Sequence, residues 1–449
     1  MRMKYLIGLD IGTSSIKAVL MTTEGEVVKT ARGGFTYTIL DGGGIEIGAN
    51  DFASVCLAAI KELAQSADGE ICGVCAASAS GNLLVLDKNN QPATPIYNWQ
   101  DKRTTTEATD VLGDVDMDAF YRQNGWPFLP HSFPLSLLCY LKVHKPEVLK
   151  NCGKVCMSTE YLYYLLTGKW GITTSAGTTF YLMEQQTGKY VPELLEKLGI
   201  SEDKVPPVMP CCSVLGGVLP EMEELCGLPA GTPIVLGTFD HPSAARGVGV
   251  LKEGEVLLSC GTSWVGFAPI EDRNKAADAG VLIDPFLSPQ GGPWGTMVSV
   301  ASVSEQLQRY VHRYIDDSDK AYSVLSSLAA KSTPGAGGLT LRPNEEPDDK
   351  KVEGYSKEDI ARAIMEGTVA LLQDKLDSIR KMGIDLTAAV MVGGPSVDPM
   401  WHKLIADICG ISVRVLHGAH AGSVGAAMMA GIGIGLFKDE VDANRVFNK

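Results

Sequence analysis

No stretch of this 449-residue chain is apolar for the length that a bilayer crossing requires. The first apolar run is interrupted by Asp10 and Gly12, so it is read as a strand and not as a secretion signal. The chain has no basic run, no zinc-ligand spacing and no interleaving of aromatic with basic residues. That argues against nucleic acid as a partner. The pattern Gly-x-x-x-x-Gly-Lys-Ser/Thr is missing, so any polyphosphate must be held by another device. Cys72 and Cys75 form one C-x-x-C spacing inside the apolar run 71–77, and no second pair completes a metal site. Core packing explains them. The eleven cysteines are otherwise scattered, as expected of reduced thiols in a cytoplasmic protein.

What remains is an ordinary globular composition, 45% hydrophobic and 20% charged, in a chain too long for one core. Two domains are expected, at 1–249 and 250–449, divided near Gly247-Val248-Gly249 and Lys252-Glu253-Gly254-Glu255. The net charge of −14 repels anions at long range. A bound polyphosphate would need local N–H groups, a lysine and a metal.

Two segments offer such groups. Near the start, Gly8-Leu9-Asp10-Ile11-Gly12-Thr13-Ser14-Ser15-Ile16-Lys17 places a Gly-Thr-Ser turn between two apolar runs. Past the middle, Ser259-Cys260-Gly261-Thr262-Ser263-Trp264 does so again. Each turn presents backbone N–H groups and two hydroxyls, and glycine removes the Cβ that would hold a ligand away. A repeated turn suggests two related domains facing one polyphosphate.

Alternation predicts strands at 6–9, 16–21, 27–29, 71–77, 83–86, 234–236, 256–260, 264–268, 388–392 and 413–416. Helical spacing marks 52–64, capped by Asn50 or Asp51, and 133–143, 158–166, 303–314, 357–382, 399–409 and 423–433. Mixed sheets with helices, built twice, give an α/β protein of two domains with a cleft between them.

Asp10 ends the first strand beside the phosphate turn, which makes it a candidate Mg²⁺ ligand. The alternative is a turn carboxylate that accepts local N–H bonds. Lys17 either faces phosphate or lies along the surface. Asp240 follows a strand and precedes His241-Pro242, where a helix is expected to begin. It is either a base for a sugar hydroxyl or a helix cap. Trp99 and Asp101 suit a polyol, or else anchor a loop. Gly393-Gly394-Pro395-Ser396 after a strand admits a flat ring or a ribose, or is a tight turn.

The chain resembles the FGGY family of carbohydrate kinases, within the actin-like ATPase fold. The resemblance runs through the 8–14 motif, Trp99-Gln100-Asp101-Lys102-Arg103, Glu160-Tyr161-Leu162, Gly231-Thr232-Pro233, Asp240, Gly261-Thr262-Ser263, Ala363-Ile364-Met365-Glu366-Gly367, Val392-Gly393-Gly394 and Gly425-Ala426-Ala427. It implies two actin-like, ribonuclease H-like domains, each a mixed sheet flanked by helices. It implies transfer of a phosphoryl group from ATP, with Mg²⁺, to a sugar or polyol hydroxyl, with Asp240 as base. Gly12, Thr13, Ser14, Ser15, Lys17, Gly261, Thr262 and Ser263 would then serve the polyphosphate, and Gly393, Gly394, Pro395 and Ser396 the adenosine. Gly81, Asn82, Trp99, Asp101, Asp240 and His241 would serve the sugar.

Several positions depart from family patterns. Ala77-Ser78-Ala79-Ser80-Gly81 stands where xylulose kinases carry Ser-Gly-Gln-Met-His. The Arg-Glu of glycerol kinases is missing near Ser80. Ser136, Cys139 and Tyr140 replace a Lys-and-Trp pattern, His241 replaces Asn or Gln, and Ala301-Ser302-Val303-Ser304 replaces a glycine-rich turn. The expected substrate is therefore a neutral sugar of pentose size or larger, an open-chain ketose. The alternatives are an actin-like ATPase switch, or a sugar-binding paralogue with little turnover. No membrane partner is expected, and a homodimer is left open.

Overall fold

The computed structural model describes residues 3–416 and 420–448. Two compact units divide the chain. The first is Met1–Leu251 with Asp284–Gly292 and His420–Lys449, and the second is Lys252–Ile283 with Pro293–Ala419.

The first unit is built on a six-stranded mixed sheet. Its strands are β1 (Lys4–Ile11), β2 (Ser15–Thr22), β3 (Val27–Gly34), β4 (Glu70–Ser78), β5 (Val214–Gly217) and β6 (Pro233–Phe239), in the order β5-β6-β4-β1-β2-β3. β1, β2 and β3 run as an antiparallel meander, and β4 and β6 add parallel to one another and to β1. β1 and β4 read as nearly continuous apolar runs because both faces of the sheet are covered.

One face takes Ile7, Leu9, Ile11, Ile16 and Leu20 against helix α1 (Ala49–Ser66), which buries Phe52, Cys56, Ile60 and Leu63. Each large side chain so buried contributes roughly 1.5–3 kcal/mol. The other face takes Leu6, Val19, Cys75 and Val235 against Ala426, Ala427, Met428 and Met429 of a late helix, Ala421–Gly433. The cap expected at Asn50 or Asp51 is instead Gly48, and both residues lie inside the first turn of α1. Glycine preceding the helix leaves room for Asp51 to fold back over it, with the carboxylate within 2.5 Å of where a Cβ would stand.

The second unit repeats the plan. Its strands β7 (Glu255–Cys260), β8 (Trp264–Ile270), β9 (Leu282–Asp284), β10 (Trp294–Val300), β11 (Ala388–Gly393) and β12 (Ser412–Val415) lie in the order β9-β10-β8-β7-β11-β12. β7, β8 and β10 are an antiparallel meander, and β11 and β12 add in parallel. Helices Val303–Tyr314, Lys357–Arg380 and Pro399–Cys409 flank this sheet, at or within two residues of their expected bounds.

The architecture is therefore the mixed α/β, two-domain plan expected from the sequence. The chain enters the second unit after Leu251. It differs by returning to the first unit for Asp284–Gly292 and again from His420. The physical reason for the second return is the sheet face left open by α1, which the Gly- and Ala-rich helix Ala421–Gly433 fills. Among the described residues, no helix is long and apolar enough to cross a membrane.

Candidate active site

Three strands of the first sheet end at one edge. Asp10 of β1 pairs with Ala77 of β4, Ile11 pairs with Ser78, and Phe239 of β6 also pairs with Ser78. The ends carry Asp10, the 12–15 turn and Asp240. The turn is a tight hairpin, in which the Gly12 N–H donates to the Ser15 carbonyl at 3.0 Å. Helix α2 (Asp240–Val248) begins directly at Asp240, whose Oδ1 accepts the His241 N–H at 2.7 Å. The His241 Nε2 lies 4.0 Å from the same oxygen, and both side chains are a quarter exposed.

Asp10 is pushed up to about 7, first by burial and then by the facing Asp240 carboxylate, with Lys17 opposing both. Lys17 is its cross-strand partner in the β1–β2 ladder. Helix α3 (Ala421–Gly433) begins against this carboxyl. A Cβ on Gly422 would stand 2.7 Å from the Asp10 carboxyl atoms, so only glycine allows the approach. The positive end of a helix dipole thus meets the site. Ser243 of α2 donates to the Gly422 carbonyl at 2.8 Å and ties the two helix starts together.

Beside the turn lies an aromatic floor. The Trp99 indole N–H donates to Thr13 Oγ1 at 2.9 Å. Ring centroids are 6.1 Å apart for Trp99 and Phe133, 6.0 Å for Trp126 and Phe133, and 5.8 Å for Trp126 and Phe239. Phe239 meets the His241 ring at 5.6 Å. Phe133 holds a left-handed φ of +69°, which costs a bulky residue of order 1–3 kcal/mol. Its ring covers Gly81, whose φ is +90°.

The second unit carries the matching turn at the matching place in its own sheet. The Gly261 N–H donates to the Ser263 carbonyl at 3.1 Å. The Ser302 N–H donates to Ser263 Oγ at 3.1 Å, and Ser304 Oγ to the Gly261 carbonyl at 2.8 Å. On the adjacent strand β11, Gly393 pairs with Cys260. It has φ +103°, and a Cβ there would lie 2.2 Å from the Cys260 carbonyl. The 394–397 turn that follows borders a cavity of about 690 Å³, walled by Trp264, Leu307, Tyr322, Pro395 and Trp401. Trp264 and Trp401 meet edge to face at 5.1 Å.

Residues 5–247 match the N-terminal domain of the FGGY family of carbohydrate kinases, and residues 256–434 match its C-terminal domain. The chain belongs to this family. The xylulose kinase of Bacillus subtilis is 25% identical to it, over 97% of this chain and 89% of that protein. The gluconokinase of Bacillus licheniformis is 24% identical, over 95% and 86%. The crystal structure of xylulose kinase from Rhodospirillum rubrum shares the fold at a TM-score of 0.86 and 24% identity, covering 99% of this chain and 96% of that one. The protein is thus an FGGY carbohydrate kinase, a phosphotransferase that uses ATP. The relatives' names cite different acceptors at nearly equal identity, so likeness alone carries no substrate.

In this FGGY kinase, Asp10, the 12–15 turn, Asp240, His241, Gly81 and Trp99 belong to the first unit, and the 261–263 and 393–396 turns to the second. Asp101 differs from the sugar contact expected of it. Its side chain is fully buried, with one oxygen accepting the Ile45 N–H at 2.7 Å and both oxygens bound by Arg103. Arg103 also reaches Glu46 at 2.9 Å and stacks on the Tyr97 ring at 4.4 Å. The carboxylate secures the loop that bears Trp99. Asn82 is half-buried, and its Oδ1 accepts the Ser158 N–H at 2.7 Å. Trp126, Phe133 and Phe239 escaped the sequence reading. They come from separate segments, and no spacing links them.

Proposed function

We propose that this kinase transfers the γ-phosphoryl group of ATP to a hydroxyl of a neutral sugar, with Asp240 as the general base. The facing carboxylates of Asp10, at the end of β1, and Asp240, just past the end of β6 on the other side of β4, carry this reading. Asp240 is a quarter exposed beside the aromatic floor, where a sugar hydroxyl can reach it. It takes the hydroxyl proton as the oxygen attacks phosphorus, and ADP leaves. His241 stands next to the base and offers the hydroxyl pattern a second polar contact.

A buried carboxyl raised by a like-charged neighbour is the environment that a divalent cation relieves, so Asp10 fits as the Mg²⁺ ligand. Bound there, Mg²⁺ would neutralise charge on the transferring phosphates. Each Gly-Thr-Ser turn is offered as a phosphate contact through its N–H groups and hydroxyls, with Lys17 beside the first. The Ser302 N–H and the start of helix Val303–Tyr314 brace the second turn. The cavity bordered by Gly394 and Pro395 suits the adenosine, because aromatic and aliphatic walls receive a flat base.

The sugar side supports a neutral acceptor. Trp99, Trp126, Phe133 and Phe239 offer faces to C–H groups, and the occupied Asn82 oxygen leaves that side chain's amide donors for hydroxyls. An acidic sugar would call for a facing arginine or lysine, as a carboxylate is best paired with a cation. The test is coupled ADP release over D-xylulose, D-ribulose, D-fructose, D-xylose, glycerol and D-gluconate. A neutral ketose should give the highest kcat/KM. Highest kcat/KM on D-gluconate or glycerol refutes the assignment of substrate class.

A further inference from the structure

We propose that Asp284 and Ser175 form a positioning pair that sets the backbone of the catalytic Asp240, an inference that rests on the reading of Asp240 as base. β6 does not run evenly into the base. Its pairing with β4 is regular from Ile234 to Leu236, then shifts before Phe239. A shifted ladder leaves backbone groups that need other partners. Three side chains supply them. Tyr163 Oη accepts the Gly237 N–H at 3.1 Å, Thr173 Oγ1 donates to the Gly237 carbonyl at 2.8 Å, and Ser175 Oγ accepts the Phe239 N–H at 3.2 Å. The last of these sits one residue before Asp240.

A serine hydroxyl has one proton and can turn it either way. Here the proton goes to Asp284 Oδ2 at 2.8 Å, which leaves a lone pair for the Phe239 N–H. Asp284 is itself fixed, because its Oδ1 accepts the Phe286 N–H at 2.7 Å. Asp284 and Ser175 are buried, with no more than 4% of either exposed. Asp284 comes from the short segment Asp284–Gly292 that the chain returns to the first unit. Burial raises its carboxyl to about 6, against its hydrogen bonds and the nearby Arg246 and His241. Arg246 is fully buried, paired with Glu440 at 3.1 Å, and donates to the Phe286 carbonyl at 3.0 Å. Neither Asp284 nor Ser175 is assigned any contact with the sugar. They act through Phe239, and a small rotation there swings the Asp240 carboxylate away from the attacking hydroxyl.

The experiment compares D240N, S175A, S175T, D284N and the S175A/D284N double variant of the full chain. The assay uses Mg²⁺-ATP and the neutral ketose with the highest kcat/KM in the panel above. S175A and D284N should each lower kcat about tenfold, with KM for ATP unchanged, since a shift well under an ångström costs that much. The double variant should lose no more than the worse single one, because Asp284 acts on the Phe239 N–H only through the Ser175 hydroxyl. S175T keeps the hydroxyl and should recover most of the rate. Values of kcat for S175A and D284N within twofold of the unaltered protein, alongside an inactive D240N, overturn the positioning pair and leave the base standing. Additive losses with a raised KM for ATP, or no recovery in S175T, also overturn it. If D284N fails to fold, S175A against S175T decides. Normal turnover in D240N overturns the base itself.

Discussion

Replacing Asp10 by Asn should make the protein more stable and inactive at once. The folded protein holds this carboxyl near 7, against 3.8 for an ordinary aspartate. Its folded pKa is raised, so between those values the native state holds a proton that the unfolded chain has lost. Stability therefore falls as pH rises through that window and levels off above it. At about 1.4 kcal/mol per pH unit, the strain at pH 8 is at most about 4 kcal/mol, because solvent reaches part of the side chain. About 2–3 kcal/mol of that develops between pH 5 and pH 8. Asparagine removes the charge at nearly the same volume. Urea unfolding with EDTA present should show D10N gaining on the unaltered protein by that amount across the pH range. D240N should shrink the pH dependence of the unaltered residue at 10, since the Asp240 charge is the second cause of the shift. Added Mg²⁺ should narrow the gap by binding only the protein that keeps Asp10. A D10N variant less stable than its parent at pH 8, or a gap that ignores pH, would refute the reasoning.

D240N, which removes the proposed base, should cut sugar-dependent turnover on the order of 100-fold while ATP affinity, read by calorimetry, stays within threefold. Gly393→Ala would force a Cβ to 2.2 Å from the Cys260 carbonyl at φ +103°. It should cost about 1–3 kcal/mol of stability and weaken ATP binding at least tenfold, with unaltered ATP affinity as the contrary result. Arg103→Met strands the buried Asp101 carboxylate, so it should destabilise by about 3–5 kcal/mol and raise KM for the sugar through the Trp99 loop. A loss below about 1 kcal/mol would mean that the pair is solvated. Trp99→Phe removes the indole donor to Thr13 and should cost about 0.5–1.5 kcal/mol of stability, measured by urea unfolding; a neutral result would show that Thr13 finds another partner.

Much of the framework was legible because the deciding signals are local. A Gly-Thr-Ser turn between two apolar runs is a hairpin, and both copies form one. The helices Val303–Tyr314 and Pro399–Cys409 match their periodicity to the residue. The functional surroundings were less so, because they depend on distant pairing. Arg103 stands two residues from Asp101, but nothing in that stretch announces that the Ile45 N–H and Glu46, more than fifty residues away, will complete and bury the pair. The aromatic floor gathers Trp99, Trp126, Phe133 and Phe239 from four segments, and Phe133 holds a backbone conformation that propensity argues against. Ser302 shows the same limit. It adopts φ +51°, a left-handed conformation that glycine favours and that nothing in its local sequence announces.

The late return of the chain also sets an order of events during synthesis. β1, β2, β4 and β6 emerge early, but the face bearing Leu6, Val19, Cys75 and Val235 stays uncovered until residues 421–433 arrive. A ribosome adding about 5–20 residues per second leaves that apolar face open for on the order of ten seconds or more after β6 is made. Nascent chains stalled inside the second unit would be marked by this bare face, which is the surface a holding chaperone grips. The same helix start that closes it also lies against Asp10. An intermediate stalled before residue 421 therefore also lacks the helix start that lies against the Asp10 carboxyl.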